Sequence, residues 1–154
     1  MKLPSESDFD PERGGLDEQW AWREFEGLTV DQAFAKFLKS PSVYDEAFMF
    51  MGGAAFAFYF PVIERYLRES RAGEGDDVES VSFIAEGILL QWEWPTWRLV
   101  LPLRDRILEL CREVLSDPSR YFLDEREQRR AVSAWRKLES RTQVIVERRD
   151  GEGP

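Results

Sequence analysis

The chain has no histidine. This removes Ser-His-Asp and Cys-His nucleophilic catalysis, the zinc sites that use His, and the commonest general base near neutral pH. It has one cysteine, Cys111, too few for an internal disulfide, a thiolate zinc site or an iron–sulfur cluster. Such cysteine usage points to a reducing compartment, most simply the cytoplasm. Glycine-rich phosphate loops are missing too. Gly14-Gly15 and Gly52-Gly53 lack the Lys-Ser/Thr or the spacing of a nucleotide-binding fingerprint. The opening Met1-Lys2-Leu3-Pro4-Ser5-Glu6 lacks the basic-then-apolar order of a signal peptide. The longest uncharged run, Ala47 to Ile63, is shorter than the ~20 residues that span a bilayer, and Gly52, Gly53 and Pro61 interrupt it. It reads as core, with no membrane contact.

What is present is acid and aromatic content. The 154 residues carry a formal net charge of −9, with 14% aromatic and 43% hydrophobic content. Such a chain is too apolar to stay disordered. The charge is uneven: residues 1–31 hold nine acids against three bases, and residues 104–149 hold nine acids against twelve bases. Acidity argues against nonspecific nucleic-acid binding, which neutralises phosphates with Lys and Arg. It suits solubility, and it favours fast association with a basic partner.

Polar, acid-rich residues 1–19 read as a flexible acidic N-terminal arm, residues 20–148 as one helical domain and residues 149–154 as a disordered tail. Arg71-Ala72-Gly73-Glu74-Gly75-Asp76 reads as a helix–helix loop. Trp20-Ala21-Trp22 could staple the arm to the body. Thr29-Val30-Asp31-Gln32 has the form of a capping box, followed by a helix with Ala33, Phe34, Phe37 and Leu38 inward. Ser42 reads as the N-cap of the next helix, which Gly52-Gly53 ends.

The segment Ala54 to Phe60 is apolar all round and so should be buried all round. Pro61 should kink it or start a fresh turn. After Pro61 the pattern turns amphipathic, with Ile63, Tyr66 and Leu67 against Glu64, Arg65 and Arg68. A further helix, opened by Asp76 and Glu79, carries Val78, Val81, Ile84, Ile88 and Trp92 to the turn at Trp94-Pro95. Pro102 could open the next, with Leu103, Ile107, Leu110, Cys111 and Val114 on one face, closed by Asp117-Pro118. Asp124 caps the last, striped with Ala131, Trp135, Leu138, Thr142 and Ile145; Val144-Ile145-Val146 could instead be a short strand. The fold class is therefore all-α, an irregular bundle of about six helices around a buried Phe-rich central helix.

Candidate chemistry is limited to carboxylates. Asp76-Asp77-x-Glu79 lacks the alternation and glycine of a calcium loop, and helix capping accounts for it. Glu64, Glu86 or Glu93 could serve a carboxylate-based hydrolase or a metal-binding enzyme if they converged in a pocket. Cys111 sits on an apolar stripe and reads as core. Arg126, Arg129, Arg130, Arg136, Lys137 and Arg141 alternate with acids, which reads as a solvated, ion-paired face.

The distinctive segment is Gln91-Trp92-Glu93-Trp94-Pro95-Thr96-Trp97-Arg98. Three tryptophans in six residues at a helix end cannot all face the core at one spacing. Trp92, Glu93, Trp94, Trp97 and Arg98 thus form a candidate partner-binding corner. The alternative is a hinge clamped onto the core, with Arg98 stacked on a ring.

Ala54-Ala55-Phe56-Ala57-Phe58-Tyr59-Phe60-Pro61 is similar to the Ala-Phe-x-Tyr-(Tyr/Phe)-(Leu/Phe)-Pro stretch of a family of uncharacterised bacterial proteins, with Met51-Gly52-Gly53 in the place of that family's preceding segment. Leu123 to Val132 resembles the same family's C-terminal helix start. The likeness covers about half of the chain. It implies a small bacterial helical protein and assigns no site residues and no cofactor. The residues point first to a non-enzymatic protein-binding domain, such as an immunity protein that neutralises a basic toxin. A carboxylate enzyme and a scaffold or oligomerisation module remain as the other classes.

Overall fold

A computed structural model of the chain describes residues 2–72 and 79–151, with residues 146–151 as backbone only. Among the described residues it is all helical, with α1 (Glu6–Phe9), α2 (Leu16–Phe25), α3 (Val30–Lys39), α4 (Pro41–Phe50), α5 (Gly53–Glu69), α6 (Ser80–Glu93), α7 (Arg104–Ser116) and α8 (Glu125–Gly151). Short 3-10 turns lie at Trp97–Leu99, Leu101–Leu103 and Pro118–Arg120. Neighbour packing runs α7–α8–α6–α4–α2–α1–α5–α3. The helices expected from the sequence correspond to α3–α8. The count of about six is corrected by α1 and α2, which lie in or begin within the stretch expected to be a flexible arm. Phe9 is fully buried there and packs edge-on to Trp22 at 5.4 Å, while Trp20 stacks on Tyr44 at 6.4 Å. The Trp20-Ala21-Trp22 staple thus joins α1 and α4 through α2.

Local chemistry explains the boundaries. Thr29 Oγ1 accepts from Gln32 N–H at 3.2 Å, and Gln32 Oε1 accepts from Thr29 N–H at 2.9 Å, so α3 opens on a reciprocal capping box. For α4, Pro41 takes the first helical position and Ser40 the cap, which corrects the expected Ser42 cap; a proline there loses no helical bond. α5 runs unbroken through Pro61, so no fresh turn begins there. Asp124 Oδ1 accepts from Arg126 N–H at 2.7 Å at the head of α8. The Val144-Ile145-Val146 stretch is helical, and Ile145 is buried. The residues 71–76 loop, the Asp76-Asp77 acids and Val78 lie partly or wholly outside the described residues. Of the tail, residues 149–151 continue α8 and residues 152–154 lie outside.

The core is aromatic. Phe25 meets Tyr44, Phe48 and Tyr59 with ring centroids 5.7–5.9 Å apart, and Phe37 meets Phe48 and Tyr66 at 5.6 and 5.1 Å. Such tilted and edge-on pairs add roughly 0.5–1.5 kcal/mol each beyond area burial. The predicted stripes of α7 and α8 are all buried, as is that of α3 except Leu38, which is half exposed.

Polar tips inside the core satisfy helix ends. The Tyr59 hydroxyl lies 3.0 Å from the Phe25 carbonyl and 2.8 Å from that of Leu28, closing α2. Gln91 Nε2 donates to the carbonyls of Phe48 and Met51 at 3.0 and 2.8 Å, closing α4. Orphan C-terminal carbonyls would otherwise be buried at a cost.

Candidate functional site

The tryptophan corner divides in two. Trp92, the last buried residue of α6, is 3% exposed and donates its indole N–H to Thr142 Oγ1 on α8 at 3.0 Å. It is a core residue, and the candidate surface loses it. Glu93 is exposed and pairs with Arg141 at 2.9 Å. Beyond it the chain turns outward, with Trp97 N–H bonded to the Trp94 carbonyl at 3.0 Å. Trp94 is half-buried, and its indole N–H is fixed on the Met49 carbonyl at 3.0 Å. Trp97 packs against the core, with the exposed Arg98 guanidinium 5.2 Å from its ring. The clamped hinge and the stacked Arg98 are therefore both present, and Trp94 is left with an orientation set by α4.

The corner borders a groove of about 390 Å³. It is lined by Trp94, Pro95 and Thr96, by the Asp10–Gly15 loop with Glu18, and by Phe50, Met51 and Gly52. Two glycines bring these segments together. Gly52 N–H donates to the Phe9 carbonyl at 2.8 Å, and a Cβ there would come within 2.4 Å of the Asp8 carbonyl. Gly53 N–H donates to Thr96 Oγ1 at 2.9 Å, and a Cβ there would come within 2.5 Å of the Thr96 carbonyl. Only a residue without a side chain allows both approaches. The sequence signal Gly52-Gly53 thus marks two close backbone approaches as well as a helix end, and Gly52 lines the groove.

The Asp10–Gly15 loop is pinned by one carboxylate. Asp10, 3% exposed, accepts from Gln19 Nε2 at 2.7 Å and from Gly14 N–H at 2.8 Å. These bonds, Gln19's first, hold its pKa below the usual carboxylate value against the opposing effect of burial. Within the loop, Arg13 adopts a left-handed backbone at φ 58°, a conformation uncommon outside glycine. Glu18 folds back so that its carboxylate lies over Gly15 at the start of α2. The groove is therefore lined by Glu12, Arg13 and Glu18, with Asp10 buried beneath its loop, together with Trp94.

The carboxylates considered for chemistry do not converge. Glu64 is buried on α5 and chelated by Arg106, with Arg68 at 3.8 Å. Glu93 is on Arg141. Glu86 lines a separate cleft of about 280 Å³ between α4, α6 and α8, beside Asp45, Glu46, Glu79 and Glu127 and facing Arg130. Ser80 Oγ donates to Asp45 in that cleft at 2.9 Å. Among the described residues, no group of three His, Cys, Asp or Glu side chains is placed to hold a metal ion. Cys111 is fully buried, and burial pushes its thiol up to about 12, which leaves it protonated and unreactive. On α8, Arg141 has its partner, while Arg126, Arg129, Arg130, Arg136 and Lys137 are exposed with no ion pair among the described residues. That face is solvated and, among the described residues, paired only at Arg141. No helix among the described residues is long and apolar enough to cross a membrane.

Comparison with protein-family models, with curated proteins and with solved structures finds no match to this chain.

Proposed function

We propose that this chain is a non-enzymatic binding domain for a basic protein, acting in the cytoplasm in the manner of an immunity protein that covers the working surface of a basic toxin. One observation carries the reading: the acid-rich N-terminal stretch and Trp94 of the tryptophan corner, two features that stand out in the sequence, line the same groove. Aromatic side chains fixed in orientation bury large area at low entropic cost, and they dominate interface energetics. Acids around them steer a basic partner and set the encounter rate. Nucleic acid fits poorly with a chain of net charge −9.

The test is site-specific photo-crosslinking in the native host. A photoreactive side chain replaces Pro95, which is exposed on the groove rim, and a second chain carries it at Arg136 on α8. The expected result is an adduct at position 95 with a protein of net positive charge, lost in high salt and absent at position 136. An adduct formed only at position 136, or an acidic protein captured at position 95, would contradict the proposal.

A further inference from the structure

We infer that the groove lined by Trp94, Glu12 and Glu18 receives an arginine side chain from an exposed, extended segment of the partner. This inference rests on the basic-partner reading and names its chemistry. The chain uses one arrangement repeatedly within its own fold: an arginine laid on an aromatic ring and held at its edge by a carboxylate. Arg65 lies 3.8 Å from the centroid of the Phe34 ring and 3.2 Å from Asp31. Arg106 lies 5.1 Å from the Phe60 ring and is chelated by Glu64.

The groove is lined by both non-arginine ingredients of that arrangement, an aromatic ring and carboxylates. Trp94 provides the ring, locked by its bond to Met49. Glu12 and Glu18 provide the carboxylates. The Arg13 guanidinium makes neither an ion pair nor a ring contact among the described residues.

Arginine fits such a site better than lysine for three reasons. Its planar guanidinium stacks on a ring, its fork bonds a carboxylate with two N–H groups, and it is less strongly hydrated than an ammonium. A groove of about 390 Å³ is at the lower end of the range for sites that enclose a small group. It therefore accepts one or two side chains from an extended segment.

The experiment uses the full chain, labelled with ¹⁵N, titrated separately with hexaarginine, hexalysine and hexaglutamate peptides. The indole N–H resonances of Trp94 and Trp92 are followed. Hexaarginine is expected to shift Trp94 and leave Trp92 in place, because Trp92 is sealed against Thr142. Its affinity should exceed that of hexalysine by roughly two- to fivefold, the fold-change of an exposed cation–π contact. Hexaglutamate should shift neither. The double variant Glu12→Gln/Glu18→Gln, its helicity checked by circular dichroism, should weaken hexaarginine binding several-fold. Equal affinity for both cationic peptides would overturn the arginine assignment and leave the basic-partner reading standing. A Trp94 resonance that moves with neither peptide overturns both, and binding unchanged in the Gln variant overturns the groove as its location.

Discussion

Gly53 and Thr96 are locked backbone to side chain: the N–H of one donates to the Oγ1 of the other at 2.9 Å, and a methyl group on the glycine would come within 2.5 Å of the threonine carbonyl. This contact ties the start of α5, whose Ala54, Ala57 and Phe58 are only partly buried against the expectation of burial all round, to the turn after α6. Gly53→Ala forces the two apart, and overpacking of this kind costs about 1–3 kcal/mol. Urea denaturation should show that loss, with the Trp94 indole resonance displaced. Thr96→Val removes the hydroxyl and keeps the shape, and about 1 kcal/mol is the expected loss for one unmade bond.

Asp10 gives a pH dependence. Its folded pKa lies below the ordinary carboxylate value because Gln19 and Gly14 bond the charged form. The stabilisation it provides is present above the unfolded pKa near 4 and is lost as pH falls through the folded one. In denaturation measured from pH 7 down to pH 2, the stability gap between the native chain and Asp10→Asn should be widest near neutrality. It should close in acid; a gap that widens in acid would contradict the role given to Asp10.

At the alkaline end the sign reverses. Burial raises both Cys111 and Tyr59 to about 12. Their neutral forms are favoured by the fold, so their contribution is whole below the ordinary thiol and phenol values and falls away as pH rises toward 12. The Cys111 thiol should resist alkylation at pH 8 in the native chain and react at once in denaturant. Rapid native labelling would show that the α7 stripe opens.

Glu64 and Arg106 should behave as a unit. Arg106→Ala leaves a carboxylate that is only 8% exposed with Arg68 alone nearby. A loss of about 1–3 kcal/mol is expected from a buried group left short of partners. Replacing both by methionine should cost less than the single change, since an apolar pair carries no desolvation penalty. A double-mutant cycle measures the coupling, and a strictly additive result would refute it.

How far the sequence revealed these features depended on whether the signal was local. The Thr29-x-x-Gln32 box and the stripes of α7 and α8 follow from spacing within one helix, and they appear at the expected residues. Leu38 was misplaced because a ten-residue helix buries a narrower face than its apolar residues span. α1 was hidden because Phe9 is a lone apolar residue in an acidic run; its burial depends on Trp22 and Tyr59, which approach only in the folded chain. The groove was illegible for the same reason. Gly52-Gly53 carries a stop signal that any helix end could use, and nothing in the neighbouring residues announces that Asp8 and Thr96 will press against it. Of the corner residues, Trp92 follows the α6 stripe into the core, and spacing alone could have separated it from Trp94 and Trp97.

Amide hydrogen exchange of this chain, alone and with the basic protein recovered by crosslinking at position 95, locates the bound surface without mutating it. Slowed exchange is expected in residues 10–18 and 94–98, with residues 125–141 of α8 unchanged. Slowing confined to α8, with residues 10–18 and 94–98 exchanging as in the free chain, would contradict a partner seated in the groove.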